Sequence, residues 1–235
     1  MALPMKEMFR AASASIRAAV SAAREGRAIL LHDGEGRENE VDIVFSAERC
    51  TPESIAFMRS SGGGLICAAI GNEVASAIGL PFMHDLLASA AERYPALSGI
   101  VEGSTPYGGR PAFSISLNHR DSYTGVNDRE RSATVMAIGR VARLVSEGGD
   151  AASEFTSLLK APGHVPLLIE AHGSLSERRG HTELSIAVMR MAGLPPASVV
   201  CEMLDSRTHR SLSVEDAAML ASDAGLPLLE GSELP

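Results

Sequence analysis

Tryptophan is absent from this chain of 235 residues, aromatics make up only 4% of it, and cysteine occurs three times. A core so poor in aromatics must come mainly from Ala, Val, Ile, Leu and Met. The ten methionines are scattered along the chain and read as gap-fillers in that core rather than as a binding groove. Cys50, Cys67 and Cys201 are odd in number, far apart and never in a CxxC pattern. Neither a disulfide framework nor a zinc knuckle is suggested, and a reducing cytoplasm fits. Basic charge is in deficit, with 21 Lys and Arg against 29 Asp and Glu and a net charge of −8. That argues against a nucleic-acid partner, which needs a basic stripe. It leaves room for a small anion held by a local Arg cluster, helix N-termini or a metal. No apolar run approaches the roughly 18 residues that span a bilayer. Lys6, Glu7 and Arg10 come early and no apolar signal-type segment follows them. The expectation is a cytoplasmic protein with no membrane partner. The lack of GxGxxG and of GxxxxGK[ST] removes dinucleotide and P-loop chemistry.

What is present is an ordinary globular composition, 45% hydrophobic and 21% charged. The length suits one large domain, residues 1–235, and no Gly/Ser/Pro linker or internal repeat divides it. An amphipathic helix is predicted over 5–25, with Phe9, Ile16 and Val20 in its core face. Strands are predicted over 28–32, 41–46, 65–70, 113–117, 165–171 and 198–203. Thr51 with Pro52 reads as a helix start. Asn72 caps a short helix ending at Gly79, and 83–91 forms another, followed by loops to 111. Asn127 and Glu130 resemble a capping box that opens a long helix to Gly148. Helices also follow His181, ended by Gly193, and Ser213, ended by Gly225. Strands and helices alternate irregularly, which predicts an α/β (α+β) fold: a single-domain three-layer sandwich, a mixed sheet with helices on both faces.

The densest chemistry lies in Asp33-Gly34-Glu35-Gly36-Arg37-Glu38-Asn39-Glu40-Val41-Asp42, carboxylates around one Arg between two strands. Oxygen-rich sites suit Mg²⁺ or Mn²⁺. If this stretch is extended, Glu38, Glu40 and Asp42 share one face. Alone, the same residues read first as a solvated acidic loop. A second signal is Arg178-Arg179-Gly180-His181-Thr182-Glu183. Gly180 lets a ligand approach the backbone, the helix start offers free N–H groups, and Arg178 adds a bidentate contact, a combination that binds phosphate. His181 can then ligate a metal beside it. Its plainer reading is an exposed loop with a His near a helix start. Weaker signals are His164 at a strand start, Glu202 late in an apolar strand, and Cys67, which reads first as a small core residue.

With these motifs in order along 33–203, the sequence resembles the 3,4-dihydroxy-2-butanone 4-phosphate synthase family, in its archaeal-type, monofunctional form. The matching stretches are 37–42, 63–67, 80–83, 113–116, 119–126, Asp128-Arg129, Gly163-His164, 178–183 and Cys201-Glu202. The resemblance implies a lyase of riboflavin biosynthesis that turns D-ribulose 5-phosphate into L-3,4-dihydroxy-2-butanone 4-phosphate and formate. It implies one or two Mg²⁺ or Mn²⁺ ions held by Glu38 and His181, and a homodimer with its site near the subunit interface. It gives catalytic roles to His164, Glu202, Glu40 and Asp42. Substrate contacts fall to Arg37, Glu38, Asp42, Cys67, Thr124, Arg178, Arg179, Gly180, His181, Thr182 and Glu202. Val41 stands where the bacterial form usually has Gly, which implies a stiffer loop. Two other readings use the same groups: a different metal-dependent phosphosugar aldolase or isomerase, and an inactive relative that binds a sugar phosphate.

Overall fold

The computed structural model of the protein describes residues 13–101, 105 and 110–235. Helix α1 (Ala14–Glu25) is capped by the Ser13 side chain, which accepts the Ile16 N–H, and it buries Ile16 and Val20 as predicted. The expected start at residue 5, with Phe9, lies outside the described residues. Strands β1 (Ile29–His32) and β2 (Val41–Ser46) run antiparallel on either side of the acidic loop. Helix α2 (Pro52–Phe57) opens with reciprocal Thr51–Ser54 capping and runs into a π-helical turn, Met58–Gly62, before β3 (Cys67–Ile70). Then come α3 (Asn72–Ile78), α4 (Met83–Ala90), the short α5 (Pro95–Ser98) and β4 (Phe113–His119). The long α6 (Asp128–Glu147), α7 (Ala151–Leu158), β5 (Leu159–Ile169), α8 (His181–Met191) and β6 (Ala197–Glu202) follow. A small hairpin, β7 (Leu204–Asp205) and β8 (Arg210–Ser211), then α9 (Val214–Ala224) and β9 (Leu228–Glu230), complete the chain.

Seven strands form one sheet in the order β4-β5-β3-β6-β2-β1-β9, parallel at β3–β5 and β1–β9 and antiparallel elsewhere. Alternation along the strands builds the layers. Val41, Ile43 and Phe45 of β2 and Val199 and Cys201 of β6 face a core shared with α2, α3, α6 and α9. Val44, Cys67, Ala69 and Val200 point the other way, into a core shared with α1 and α8. This is the predicted three-layer sandwich. No helix among the described residues is long and apolar enough to cross a membrane.

Several boundaries differ from the sequence expectation. Strand β5 begins at Leu159, not at 165, and so runs through Ala161-Pro162-Gly163. These residues normally end a strand, and here they form a bulge: β4 pairs Leu117 with Val165 and its next residue, Asn118, with Lys160, so 161–164 stand out of the ladder. Gly71, not Asn72, occupies the cap of α3, and the Asn72 N–H is taken instead by the buried Glu170 carboxylate at 3.1 Å. The Asn127–Glu130 box is only half formed: Asn127 caps the Glu130 N–H, while the Glu130 carboxylate accepts N–H groups of Tyr123, Thr124 and Gly125.

Candidate active site

Sheet register gathers the chemistry at one end and on one face. Asp42 pairs across the strands with Glu202. On the approach to β3 the Gly64 N–H donates to the Glu202 carbonyl at 3.1 Å, which brings that segment beside Glu202. By alternation Asp42, Cys67 and Glu202 stand on the face covered by α8. Helix α8 starts over this same end, so its first residue, His181, meets the sheet and the acidic loop together.

His181 is buried, with Nδ1 3.7 Å from a Glu38 carboxylate oxygen and Nε2 3.6 Å from Asp42 Oδ1. Ligand atoms of Asp33, Glu38 and His181 all lie within 4.8 Å of one another. Two carboxylates and one imidazole in such a group suit a divalent cation of the Mg²⁺ or Mn²⁺ kind, so the residues present fit the ion. Sequence reasoning chose Glu38 and His181 and passed over Asp33. Its signal was its place at the end of β1: the carboxylate is buried and accepts the Glu38 and Glu40 N–H groups, each at 3.1 Å, which folds the loop around it. The expected alternation of Glu38, Glu40 and Asp42 fails, because Asn39 between them adopts a left-handed backbone, φ 56°. Glu38 and Asp42 face His181, while the Glu40 carboxylate bonds to the Ser211 hydroxyl and only its carbonyl reaches His181, at 3.2 Å.

Charge crowding tunes this end. Burial, reinforced by Glu202, Glu38 and Glu40 and opposed by His181, pushes the Asp42 carboxyl up to about 7. For His181, burial favours the neutral ring, but Asp42, Glu38 and Asp33 outweigh it and raise the imidazole to about 9. Glu202 is fixed by the Leu65 N–H, which donates to its Oε2 at 2.7 Å. Its own backbone lies so close to Gly64 that a Cβ there would come within 2.8 Å of the Glu202 carbonyl. Cys67 is buried beside these acids, and burial followed by Glu202 and Asp42 drives its thiol far above the ordinary range. Such a protonated thiol is a poor nucleophile: Cys67→Ser is expected to retain measurable turnover, and a substrate adduct trapped on Cys67 would overturn that.

Beside the acidic end lies a cleft of about 670 Å³ lined by Arg37, Arg110, Arg178 and Arg179. A chain of net charge −8 thus concentrates guanidinium groups in one place. Arg178 is held by its bond to the Arg110 carbonyl, 3.1 Å, and lies 3.6 Å from Glu183. Glu183, fully buried, grips the turn with both oxygens, accepting the Ala171 and Gly180 N–H groups. A Cβ on Gly180 would sit 2.9 Å from the Arg37 guanidinium and 3.2 Å from that of Arg178, so glycine is what lets the two cations converge there. Thr182 is buried behind it. Arg179 lines the cleft, but its guanidinium donates to the Gly231 and Leu234 carbonyls at 2.9 and 2.7 Å and so fastens the chain end.

Two expected site residues stay apart from the rest within one chain. His164 is exposed on β5, three strands from β2, roughly 14 Å away at about 4.8 Å per strand. Asn118 Nδ2 donates to its Nδ1 at 3.2 Å, which leaves the proton on Nε2. Thr124 is exposed on the loop beyond the edge strand β4. Its backbone and hydroxyl bond to Glu130.

The arrangement is bipolar, a pocket of acids and one imidazole beside a cleft of guanidiniums, and known proteins share its frame. The family profile described as 3,4-dihydroxy-2-butanone 4-phosphate synthase matches residues 17–235. The enzyme of that name from Methanothermobacter thermautotrophicus is 41% identical over 219 residues, 93% of either chain. The one from Archaeoglobus fulgidus is 41% identical over 209 residues, covering 88% of this chain and 87% of the other. Among solved structures, a 3,4-dihydroxy-2-butanone 4-phosphate synthase in complex with two magnesium ions superimposes with a TM-score of 0.72 at 26% identity, covering 93% of each chain. The chain belongs to the 3,4-dihydroxy-2-butanone 4-phosphate synthase family.

Proposed function

We propose that this protein is a lyase of riboflavin biosynthesis that converts D-ribulose 5-phosphate into L-3,4-dihydroxy-2-butanone 4-phosphate and formate. One observation carries the reading: the Glu38–His181–Asp42 acidic pocket adjoins the Arg37–Arg178 cleft, so a phosphate and a set of sugar oxygens bind side by side. Other enzymes of phosphosugars could use such groups, and the family membership favours this one over an unrelated aldolase or isomerase. The substrate atoms are conserved in the two products, so the chemistry consists of proton transfers, loss and return of water, a carbon shift, and cleavage of one carbon–carbon bond that releases formate. Glu38 and His181, together with Asp33, would hold Mg²⁺ or Mn²⁺, which would supply Lewis-acid polarisation of the carbonyl and diol oxygens. Arg178, Gly180 and Thr182 take the phosphate. Asp42, poised near neutrality, accepts and returns a proton at the substrate carbons. Glu202, fixed by the Leu65 N–H, holds substrate hydroxyls, and His164 presents its Nε2–H as a donor.

The separation of His164 from His181 supports a homodimer in which His164 and Thr124 reach the site of the other subunit. The protein is proposed to act as a single domain in the cytoplasm.

Formate release from ribulose 5-phosphate with Mg²⁺ tests the assignment. Excess chelator is expected to abolish it and added Mg²⁺ or Mn²⁺ to restore it. Full activity in a preparation shown free of metal would refute the reading. A pH dependence follows as well. In the metal-free chain His181 keeps its proton up to about 9, so a cation must displace it. Mg²⁺ affinity is then expected to rise with pH, by up to about tenfold per unit, and to level off above that value. Calorimetric titration over that range checks this, and a flat affinity would contradict it.

A further inference from the structure

The loop that carries Glu38 is held from behind as well as from the front. Asp33 and His181 meet it on the α8 face. His32, the last residue of β1, points to the opposite face, as Leu30 does and as Ile29 and Leu31 do not. It ends an apolar strand and is buried at 5% exposure, yet both ring nitrogens are engaged. Nδ1 lies 2.6 Å from Glu230 Oε2 and Nε2 lies 3.0 Å from Asn39 Oδ1. Glu230 is the register partner of His32 across the parallel β1–β9 ladder, so its carboxylate is delivered by the last strand of the sheet. Asn39 sits between Glu38 and Glu40 and is the residue whose left-handed backbone breaks the alternation of the loop. Asn enters this region more readily than other side-chain-bearing residues, and anchors on both sides select it here. Here the imidazole takes the Asn39 side chain from one side while Asp33 takes the flanking N–H groups of Glu38 and Glu40 from the other.

We propose that His32 and Glu230 are positioning residues for the metal ligand Glu38, acting through the left-handed turn at Asn39. Glu230 orients the His32 ring, the ring anchors Asn39, and the turn at Asn39 keeps the Glu38 carboxylate 3.7 Å from His181. Strand β9 is thereby linked to the cation pocket from the sheet face opposite α8. This inference rests on the assignment of Glu38 and His181 as metal ligands, and its test separates the two.

The experiment is a Mn²⁺ titration of the full chain, read by loss of the free-ion electron paramagnetic resonance signal, beside steady-state kinetics at saturating metal. His32→Leu is expected to raise the Mn²⁺ dissociation constant about tenfold, as removal of a group that orients a ligand does. It should lower kcat while KM for ribulose 5-phosphate changes little, because the phosphate residues belong to the turn at Gly180. His32→Gln, whose amide still reaches Asn39, should recover part of the affinity. Asn39→Gly guards against a misfolded His32 variant: the position is exposed and already left-handed, so the fold survives while the anchor is lost, and Mn²⁺ should again weaken. Folded His32→Leu and Asn39→Gly proteins that bind Mn²⁺ like the parent, with His181→Ser losing it, would overturn the positioning role alone. Mn²⁺ binding undiminished in His181→Ser would overturn the ligand assignment and this proposal with it.

Discussion

Replacing His181 with Ser is expected to weaken Mg²⁺ binding by more than about a hundredfold and to lower kcat with it, whereas His164→Ser lowers kcat alone. The two histidines look alike in the sequence, each following a glycine. The fold gives them different surroundings. His181 is buried among Glu38, Asp42 and Asp33, whose charges favour a cation at its ring. His164 is exposed, three strands away in the sheet, and its one described side-chain partner is Asn118. Removing a ligand costs metal directly. Removing a proton donor costs only the step it serves, about a hundred- to ten-thousandfold, and leaves metal affinity within about threefold. A metal titration beside a formate assay on each variant decides this. Equal loss of metal in both variants would make both residues ligands, and an unchanged kcat in His164→Ser would make its role structural. Mixing the two inactive variants extends the test to the subunits. If His164 serves the partner's site, each mixed dimer contains one intact site, and a statistical mixture regains about a quarter of the parent activity. No recovery after subunit exchange would place both residues of a working site in one chain.

How far the site could be read from the sequence depended on the scale of the signal. The Arg178–Glu183 motif was legible because its chemistry is local: a glycine, a helix start and a histidine within six residues. The layering was legible because β2, β3 and β6 alternate regularly between two cores. Asp33 was hidden because its value comes from two backbone N–H groups that reach it only once the loop has folded. Glu40 was misplaced by the same turn, since extended alternation does not survive the positive φ of Asn39. Strand β9 and the β7–β8 hairpin were too short to leave a periodic trace, yet they supply Glu230 and Ser211, which hold the acidic loop from behind. Arg179 shows the limit of motif transfer. It stands next to Arg178 in the sequence and lines the same cleft, but its Nη2 donates to the carbonyls of Gly231 and Leu234.

That contrast makes Arg178 the decisive test of the phosphate end. Its neighbour's guanidinium is committed to the chain terminus. Arg178 Nε is buried with no hydrogen-bond acceptor among the described residues, while Nη1 is anchored on the Arg110 carbonyl. Glu183 holds the charge from behind at 3.6 Å, and the absence of a side chain at Gly180 lets Arg178 and Arg37 converge on the same turn. Losing a charge-assisted bond to phosphate costs about 1.5–3 kcal/mol, so Arg178→Ala should weaken ribulose 5-phosphate binding by about ten- to a hundredfold. Arg178→Lys restores the charge but not the fork, and should recover only part of that loss. The loss should belong to the phosphate: binding of ribulose itself, already weak, should be the same in Arg178→Ala as in the parent. Arg179→Ala, by contrast, should lower thermal stability more than affinity, because it releases the C-terminal turn. Calorimetric dissociation constants for both sugars on folded variants decide the matter. An unchanged dissociation constant for ribulose 5-phosphate in Arg178→Ala would move the phosphate out of this cleft.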